Sequence, residues 1–482
     1  MIATILWLII GLLPSALTGW LTVRLLERET LVLWRAERWA MAAALGPTMV
    51  MYVAFLLHVT IGLPLSLTGY VTAHALCLLP LALFWVLRRD SPVRRMVQPA
   101  APSSRMPLGL AILLGLLLVV SSVKIVGLSL PLFLTPTYYD DSIDNWNYRG
   151  RVFFEAKRIE LTLPPDAAPG GISSYPPSLP MIKAWLATLH GGWDDGLING
   201  LHVVWFASIL VLLFCALRRR VSLGWSLLGV YLLCSLPLFM TQAFAAYADV
   251  FLAAHLFCAI LALVAAGQST EKATALAFFR IAALPLAFLG FAKNEGLILY
   301  LPLLLALGAW AMWRLRCAGT LTTREIGGAV LWIVILVLVV CVPWILYKRM
   351  NGLTFGNAKS ISDIQLGWQP NALLSIIINT LFEANWLLFF PLLGTLLILR
   401  ARSVMRSSLA LLAGFLLVAY CAQLFLYLFT GLSQEAIRQT GYARGLIHLM
   451  PAACMLTILL LKEALGPPNG QRGLLSRLLH HD

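Results

Sequence analysis

The sequence predicts an all-α polytopic membrane protein, and three observations carry that expectation. Hydrophobic residues make up 60% of the 482 residues and charged ones only 12%, about half the charged share usual in soluble domains. The apolar residues come in runs of roughly 20, the length that crosses a bilayer core as a helix. Lys and Arg collect at the ends of those runs, so the net charge of +14 reads as membrane orientation rather than as affinity for nucleic acid. A mean hydropathy of +0.86 agrees.

Thirteen apolar stretches qualify as spans, at about 2–24, 39–57, 69–87, 107–130, 197–217, 222–240, 249–266, 274–292, 296–313, 327–346, 371–398, 408–430 and 445–461. The first has no basic residues ahead of it and exceeds a signal-peptide core in length, so it is expected to be retained. With alternating sides, the segments 24–38, 88–106, 218–220, 267–273, 314–326, 399–406 and the tail 462–482 hold about twice the Lys and Arg of the opposite face, which assigns them to the cytoplasm. Arg88, Arg89, Arg94, Arg95 and the run Arg218 to Arg220 are the strongest anchors. The chain reads as one integral-membrane domain, 1–482, with a large extracytoplasmic loop at 131–196. Its eight cysteines, mostly inside apolar runs, show neither a disulfide framework nor zinc spacing.

The outer loop is too long for a bare connection. Trp146, Tyr148, Val152, Phe153, Phe154 and Ile159 interleave with Arg149, Arg151, Lys157 and Arg158, a composition suited to a surface helix in the headgroup region. Pro164-Pro165 and Pro169-Gly170-Gly171 end it, and Tyr175-Pro176-Pro177-Ser178-Leu179-Pro180 fixes a turn before a second short helix at 181–189.

Polar residues that interrupt apolar sequence fall mostly on that same outer side: Asp140, Asp141, Asp249, Lys293, Glu295, Arg438 and Arg444. Ionisable groups at membrane depth are costly, and their collection at one level points to a site. Each has a plainer reading as well. Asp140, Asp141 and Asp144 serve equally as turn and cap residues; Asp249 opens a span, where an acidic residue complements the helix dipole; Lys293-Asn294-Glu295-Gly296 is explained as a surface loop. Arg438 and Arg444 run against the positive-inside bias, which a lipid phosphate or a headgroup ion pair would compensate. Lys293 is a second candidate phosphate contact, with Glu295 orienting it or holding a sugar. His448 stands one helical turn after Arg444 on the same face, where an interhelical hydrogen bond is the plain role. Asp249, as a second carboxylate facing Asp141, is suited to bind an acceptor or to share with Asp141 a divalent cation, since Asp oxygens are the ligands that Mg or Mn prefer.

Asp141 with Trp146, Arg149, Gly150 and Arg151, then Tyr175-Pro176-Pro177, Trp193-Asp194-Asp195, Tyr247-Ala248-Asp249, Lys293-Asn294-Glu295-Gly296 and Arg444 to Pro451, resembles the bacterial GT-C glycosyltransferases, in particular the group of protein mannosyltransferases and aminoarabinose transferases. The resemblance covers about residues 135–455. It implies a GT-C-like fold, a polyprenyl-phosphate sugar donor, a lipid, glycan or protein acceptor in cell-envelope glycan biosynthesis, and a place in the bacterial inner membrane with the active site outside. It also implies a catalytic base or acceptor-orienting group at Asp141, with Asp140 as the near alternative. A carboxylate within hydrogen-bond reach of an attacking hydroxyl receives its proton, so the chemistry is sound independently of the likeness. No P-loop, dinucleotide fingerprint, GxSxG or HExxH occurs. The rival expectations are a transporter or lipid flippase, whose ionisable groups belong near the bilayer midplane, and a glycan polymerase or ligase.

Overall fold

The computed structural model describes residues 1–88, 95–96, 107–162, 172–354 and 366–465. In chain order its helices are α1 (Ile2–Glu27), α2 (Arg35–Ile61), α3 (Leu67–Leu87), α4 (Leu108–Leu134), α5 (Tyr148–Ala156), α6 (Ser178–His190), α7 (Asp195–Arg218), α8 (Leu223–Ser235), α9 (Pro237–Ala243), α10 (Ala248–Gln268), α11 (Lys272–Ala292), α12 (Leu301–Cys317), α13 (Thr323–Met350), α14 (Pro370–Ile377), α15 (Phe389–Arg406), α16 (Leu409–Phe429), α17 (Ser433–Ile437), α18 (Tyr442–Ile447) and α19 (Met450–Leu465). A two-residue parallel bridge, Thr30–Leu31 with Arg95–Met96, is the one strand pairing among the described residues. A helix satisfies its backbone internally, which is what an apolar chain in lipid requires. The proline breaks at 164–165 and 169–171, the anchors Arg89 and Arg94 and the tail beyond Leu465 lie outside the described residues.

Among the described residues, ten helices are long and apolar enough to cross a membrane: α1 to α4, α7, α10 to α13 and α16, with α12 counted together with the π-turn Gly296–Tyr300 before it. Ten of the thirteen expected spans coincide with such helices, or eleven if the bent pair α8 and α9 counts as one. The stretch 222–240 bends by 76° where Pro237 opens α9, because proline has no N–H to continue the ladder. The stretch 371–398 divides into α14, a π-turn at Ile378–Phe382 and α15, with the polar residues Glu383 and Asn385 at the break. The stretch 445–461 divides into α18 and the 16-residue α19.

Burial ranks the spans. α10 and α11 are enclosed along most of their length, while α3, α4 and α13 bury little and present apolar faces outward. α10 packs on α7, α11 and α12, and α11 on α13. Ala253, Ala254, Ala259, Ala262 and Ala266 on α10 and Ala282, Ala283, Ala287 and Ala292 on α11 are all buried, and small residues let helices approach closely in lipid. The α1 and α2 crossing uses the same device: a Cβ on Gly46 would stand 2.1 Å from the Ser15 carbonyl oxygen, so only glycine fits there.

The outer loop does contain two helices, but neither lies freely on a surface. α5 buries Arg149, Gly150 and Phe153, so Arg149 is not on the solvated face expected for it. α6 is buried from Ser178 to Ala187 and is docked to α1 by a hydrogen bond from the Trp185 indole to the Gly11 carbonyl at 2.9 Å. Its apolar residues Leu179, Met181, Ile182 and Trp185 supply the driving force. Arg280, which the sequence groups with Lys293 and Glu295, donates to the Leu26 carbonyl at 2.8 Å. That contact lies toward the start of α11, about 20 Å from Lys293 at 1.5 Å per residue.

Candidate functional site

Asp249 is the second residue of α10 and is 1% exposed. An anion there is favoured by the helix dipole, yet burial of a carboxylate demands partners, and it has four contacts. Its Oδ1 accepts from Lys293 Nζ at 2.8 Å and from His448 Nε2 at 3.1 Å. Its Oδ2 accepts from Arg444 Nη2 at 3.0 Å and Nε at 3.2 Å. The remaining arm of Arg444, Nη1, meets Asp141 Oδ2 at 2.6 Å, and Lys293 also meets Glu295 Oε1 at 3.0 Å. Asp141, Asp249, Lys293, Glu295, Arg444 and His448 thus form one network.

The network opens from the inside outward. Side-chain exposure rises from 1% at Asp249 and 7% at Lys293 to 25% at Arg444 and 40% at Asp141 and Glu295. Burial works against the charge on Lys293, but Asp249 and then Glu295 outweigh it and hold its ammonium above the ordinary lysine range. Burial likewise opposes Arg444, and Asp249 and Asp141 reverse that. Both cations are therefore charged in the resting site.

The local chain explains how these groups meet. α11 stops at Ala292, and Lys293 takes an extended backbone that turns its side chain toward α10. Arg444 lies in α18 and His448 is its C-terminal cap. The loop bearing Asp140 and Asp141 is tied to the segment before α10 by Ser142 Oγ donating to the Ala245 carbonyl at 2.6 Å, and by the Tyr247 hydroxyl donating to Asp140. The two adjacent aspartates consequently divide: Asp141 faces Arg444, whereas Asp140 is engaged by Tyr247 and by the Asp141 N–H at 2.7 Å. Those two donors hold Asp140 below the usual carboxylate range. The Arg444 guanidinium also lies over the Tyr247 ring, 4.5 Å from its centre, a cation–π contact.

His448 is oriented by residues that sequence reading missed. An ionised Asp249 can only accept, so His448 Nε2 carries the proton and Nδ1 accepts from the Tyr300 hydroxyl at 3.0 Å. Gln423 Nε2 in turn donates to the Tyr300 oxygen at 2.7 Å. The available signal was Gln423, a polar amide inside the apolar run of α16.

Trp146, Arg149 and Tyr175 form a supporting layer beside the network. The Trp146 and Tyr175 rings meet at 5.5 Å, and Arg149 Nη2 donates to the Tyr175 carbonyl at 2.8 Å. Arg149 is fully enclosed, and burial brings its pKa down to about 9. Lys183, also missed, donates to Asn147 and to the Ala246 carbonyl at 3.4 Å from within the buried face of α6; burial brings it down to about 7. Arg438 is not brought in: it caps the C-terminus of the short α17, is exposed, and the chain reverses at Gln439 with φ +58°.

The residues present do not fit a divalent ion between Asp141 and Asp249. The guanidinium of Arg444 bridges those two carboxylates, and no group of three His, Cys, Asp or Glu arranged to hold a metal occurs among the described residues. Comparison of the chain with family models, with curated proteins and with solved structures finds no match.

Proposed function

We propose that this chain is a GT-C-like integral-membrane glycosyltransferase that moves a sugar from a polyprenyl-phosphate donor to a hydroxyl-bearing acceptor, with inversion at the anomeric carbon. The observation that supports it most is the bridge in which Arg444 joins Asp141 at the mouth to Asp249 at the buried base. A donor phosphate is an anion that competes with Asp141 for the outer arm of Arg444. Once the phosphate takes that arm, the half-exposed Asp141 carboxylate is released to receive the acceptor proton. Asp249 remains held by Lys293 and His448 and keeps Arg444 aimed.

The step balances as a direct displacement. The acceptor oxygen forms a bond to the anomeric carbon, the bond from that carbon to the phosphate oxygen breaks, and the electron pair leaves on the phosphate, where Arg444 and Lys293 stabilise it. The acceptor proton passes to Asp141. Glu295 Oε2 is buried without a hydrogen-bond partner among the described residues and is suited to accept from a sugar hydroxyl. Gathering of the ionised groups at helix ends, with Asp249 second in α10 and Lys293 just past α11, favours this reading over a transporter, whose binding groups belong near midplane.

Asp141→Asn tests it. Asn keeps the shape and one acceptor oxygen but cannot take a proton, so transfer of sugar from a polyprenyl-phosphate donor should fall by about 10² to 10⁴ while the protein still folds. Full activity would remove Asp141 from the mechanism. The Lys and Arg bias supports placing this end of the bundle outside the cytoplasm. In a cysteine-free background, Glu155→Cys should react with a membrane-impermeant thiol reagent added outside and Glu29→Cys should not; the reverse labelling overturns that orientation.

A further inference from the structure

Two helical paths break within the bundle and touch at their breaks. α8 ends at Ser235 and α9 turns away by 76°; α14 and its π-turn end at Phe382, and α15 begins at Phe389. The Leu238 N–H, which an unbroken α8 would direct at Cys234, donates instead to the Asn385 carbonyl at 3.2 Å. The Lys124 ammonium on α4 donates to the Cys234 carbonyl so freed, at 3.0 Å. The depth of the second break follows from its neighbours. The Phe390 ring lies 6.3 Å from the Tyr420 ring, and Tyr420 is near the middle of the membrane-length α16. Phe389 is also about 17 Å, at 1.5 Å per residue, from Arg400, the first charged residue of α15. Residues 383–388 therefore lie inside a hydrocarbon layer about 30 Å thick.

Glu383 stands at that depth without a cation. Its Oε2 accepts from Asn385 Nδ2 at 2.8 Å and from Asn379 Nδ2 at 3.1 Å. Among the described residues nothing donates to Oε1, and no Lys, Arg or His comes within ion-pair distance. Two amide oxygens are unmatched as well: Asn379 Oδ1 is buried without a partner, and so is Gln242 Oε1, one turn beyond Leu238 on α9. Acceptors left without donors in hydrocarbon are costly, a carboxylate most of all.

Acyl chains do not account for the whole face. Leu374, Ile378 and Leu381 before the break and Leu388, Leu392 and Leu399 after it are exposed, and lipid would cover those as well as protein does. The backbone between them is different. Ala384 and Leu387 are exposed, Glu383 and Asn385 partly so, and Leu387 is held at φ +51°, which a bulky side chain avoids. Non-helical backbone at membrane depth is tolerated where protein covers it or where it lines an aqueous cavity, and the two best-formed cavities among the described residues are lined by other residues.

We propose that this face docks a transmembrane helix of a different membrane protein, one that carries a lysine or arginine at the depth of Glu383. Such a helix covers the irregular backbone, continues the apolar stripe and brings the missing donor. A second copy of this chain is the poorer occupant, because two-fold pairing of the face sets Glu383 against Glu383. Neither the surface nor its partner depends on the glycosyltransferase reading.

The test uses the purified full-length chain, labelled at its N-terminus, in phosphatidylcholine vesicles at neutral pH. The probes are dye-labelled Leu/Ala peptides of about 20 residues, identical except for Lys, Leu or Asp at the centre, and energy transfer reads their association with the chain. Wild type should bind the lysine peptide about tenfold more tightly than the leucine peptide. Glu383→Gln should remove that preference, and Glu383→Lys should transfer it to the aspartate peptide. Ala384→Trp, at an exposed position, obstructs the face with Glu383 intact; it should weaken binding of the lysine peptide while thermal unfolding stays as in wild type, which separates loss of the surface from loss of the fold. Equal binding of the lysine and leucine peptides by wild type, or a lysine preference retained in Glu383→Gln or in Ala384→Trp, overturns the proposal. Self-association of wild type that Glu383→Gln abolishes assigns the face to a second copy and overturns it too.

Discussion

Asp249→Asn is the sharpest test of the network, because among the described residues Asp249 is the one anion in contact with both Lys293 and Arg444 and it is buried. Its two oxygens accept four N–H contacts. Asn offers a single oxygen, so one side of the group must set its NH₂ against other donors. Leaving charged donors unmatched in a buried position costs about 3 to 5 kcal/mol. Two compensations exist: Arg444 retains Asp141 at 2.6 Å and Lys293 retains Glu295 at 3.0 Å. Both are partly solvated, which places the expected loss near the lower end, about 3 kcal/mol.

Unfolding in detergent micelles would be compared for wild type, Asp249→Asn, Lys293→Met and the double variant. If Asp249 and Lys293 stabilise each other, the double variant loses less than the sum of the single losses, by about 1 to 3 kcal/mol, since removing both partners leaves no isolated charge on that side. Strictly additive losses, or an Asp249→Asn protein as stable as wild type, would refute the assignment of Asp249 as the holding anion.

Arg444→Gln and Arg438→Gln should separate sharply. The first removes the bridge between two carboxylates and should lower sugar transfer by about 10² or more, as expected for loss of charge stabilisation worth about 3 kcal/mol; the second, on an exposed turn, should leave turnover near wild type, and equal losses would contradict the geometry. Lys183 makes stability depend on pH. Burial lowers its pKa from 10.5 to about 7 in the fold, so between those values the unfolded chain binds more protons and stability rises with pH. Lys183→Met should remove that rise, while the burial cost in wild type is fully present below about pH 7. A constant difference between the two proteins from pH 7 to 10 would count against a buried titrating Lys183.

The class of the protein was legible from the sequence alone, because a run of apolar residues specifies a membrane-length helix through local, nearly additive transfer free energy. Ten of the thirteen expected stretches coincide with helices able to cross a bilayer. The principal polar residues were legible for the same reason: in so apolar a chain, Asp141, Asp249, Lys293 and Arg444 stand out wherever they occur. Only the tertiary structure decided how they pair. It turned Asp141 rather than Asp140 toward Arg444, excluded Arg438, buried Arg149 and Lys183 in the loop helices, and recruited Tyr300 and Gln423 behind His448. It also decided that α10 and α11 occupy the centre and that three apolar stretches bend or break. Those outcomes rest on which helices touch and in what rotation, and contacts such as Asp249 with Arg444, nearly 200 residues apart in the chain, are set by packing across the whole bundle rather than by any local pattern of hydrophobicity.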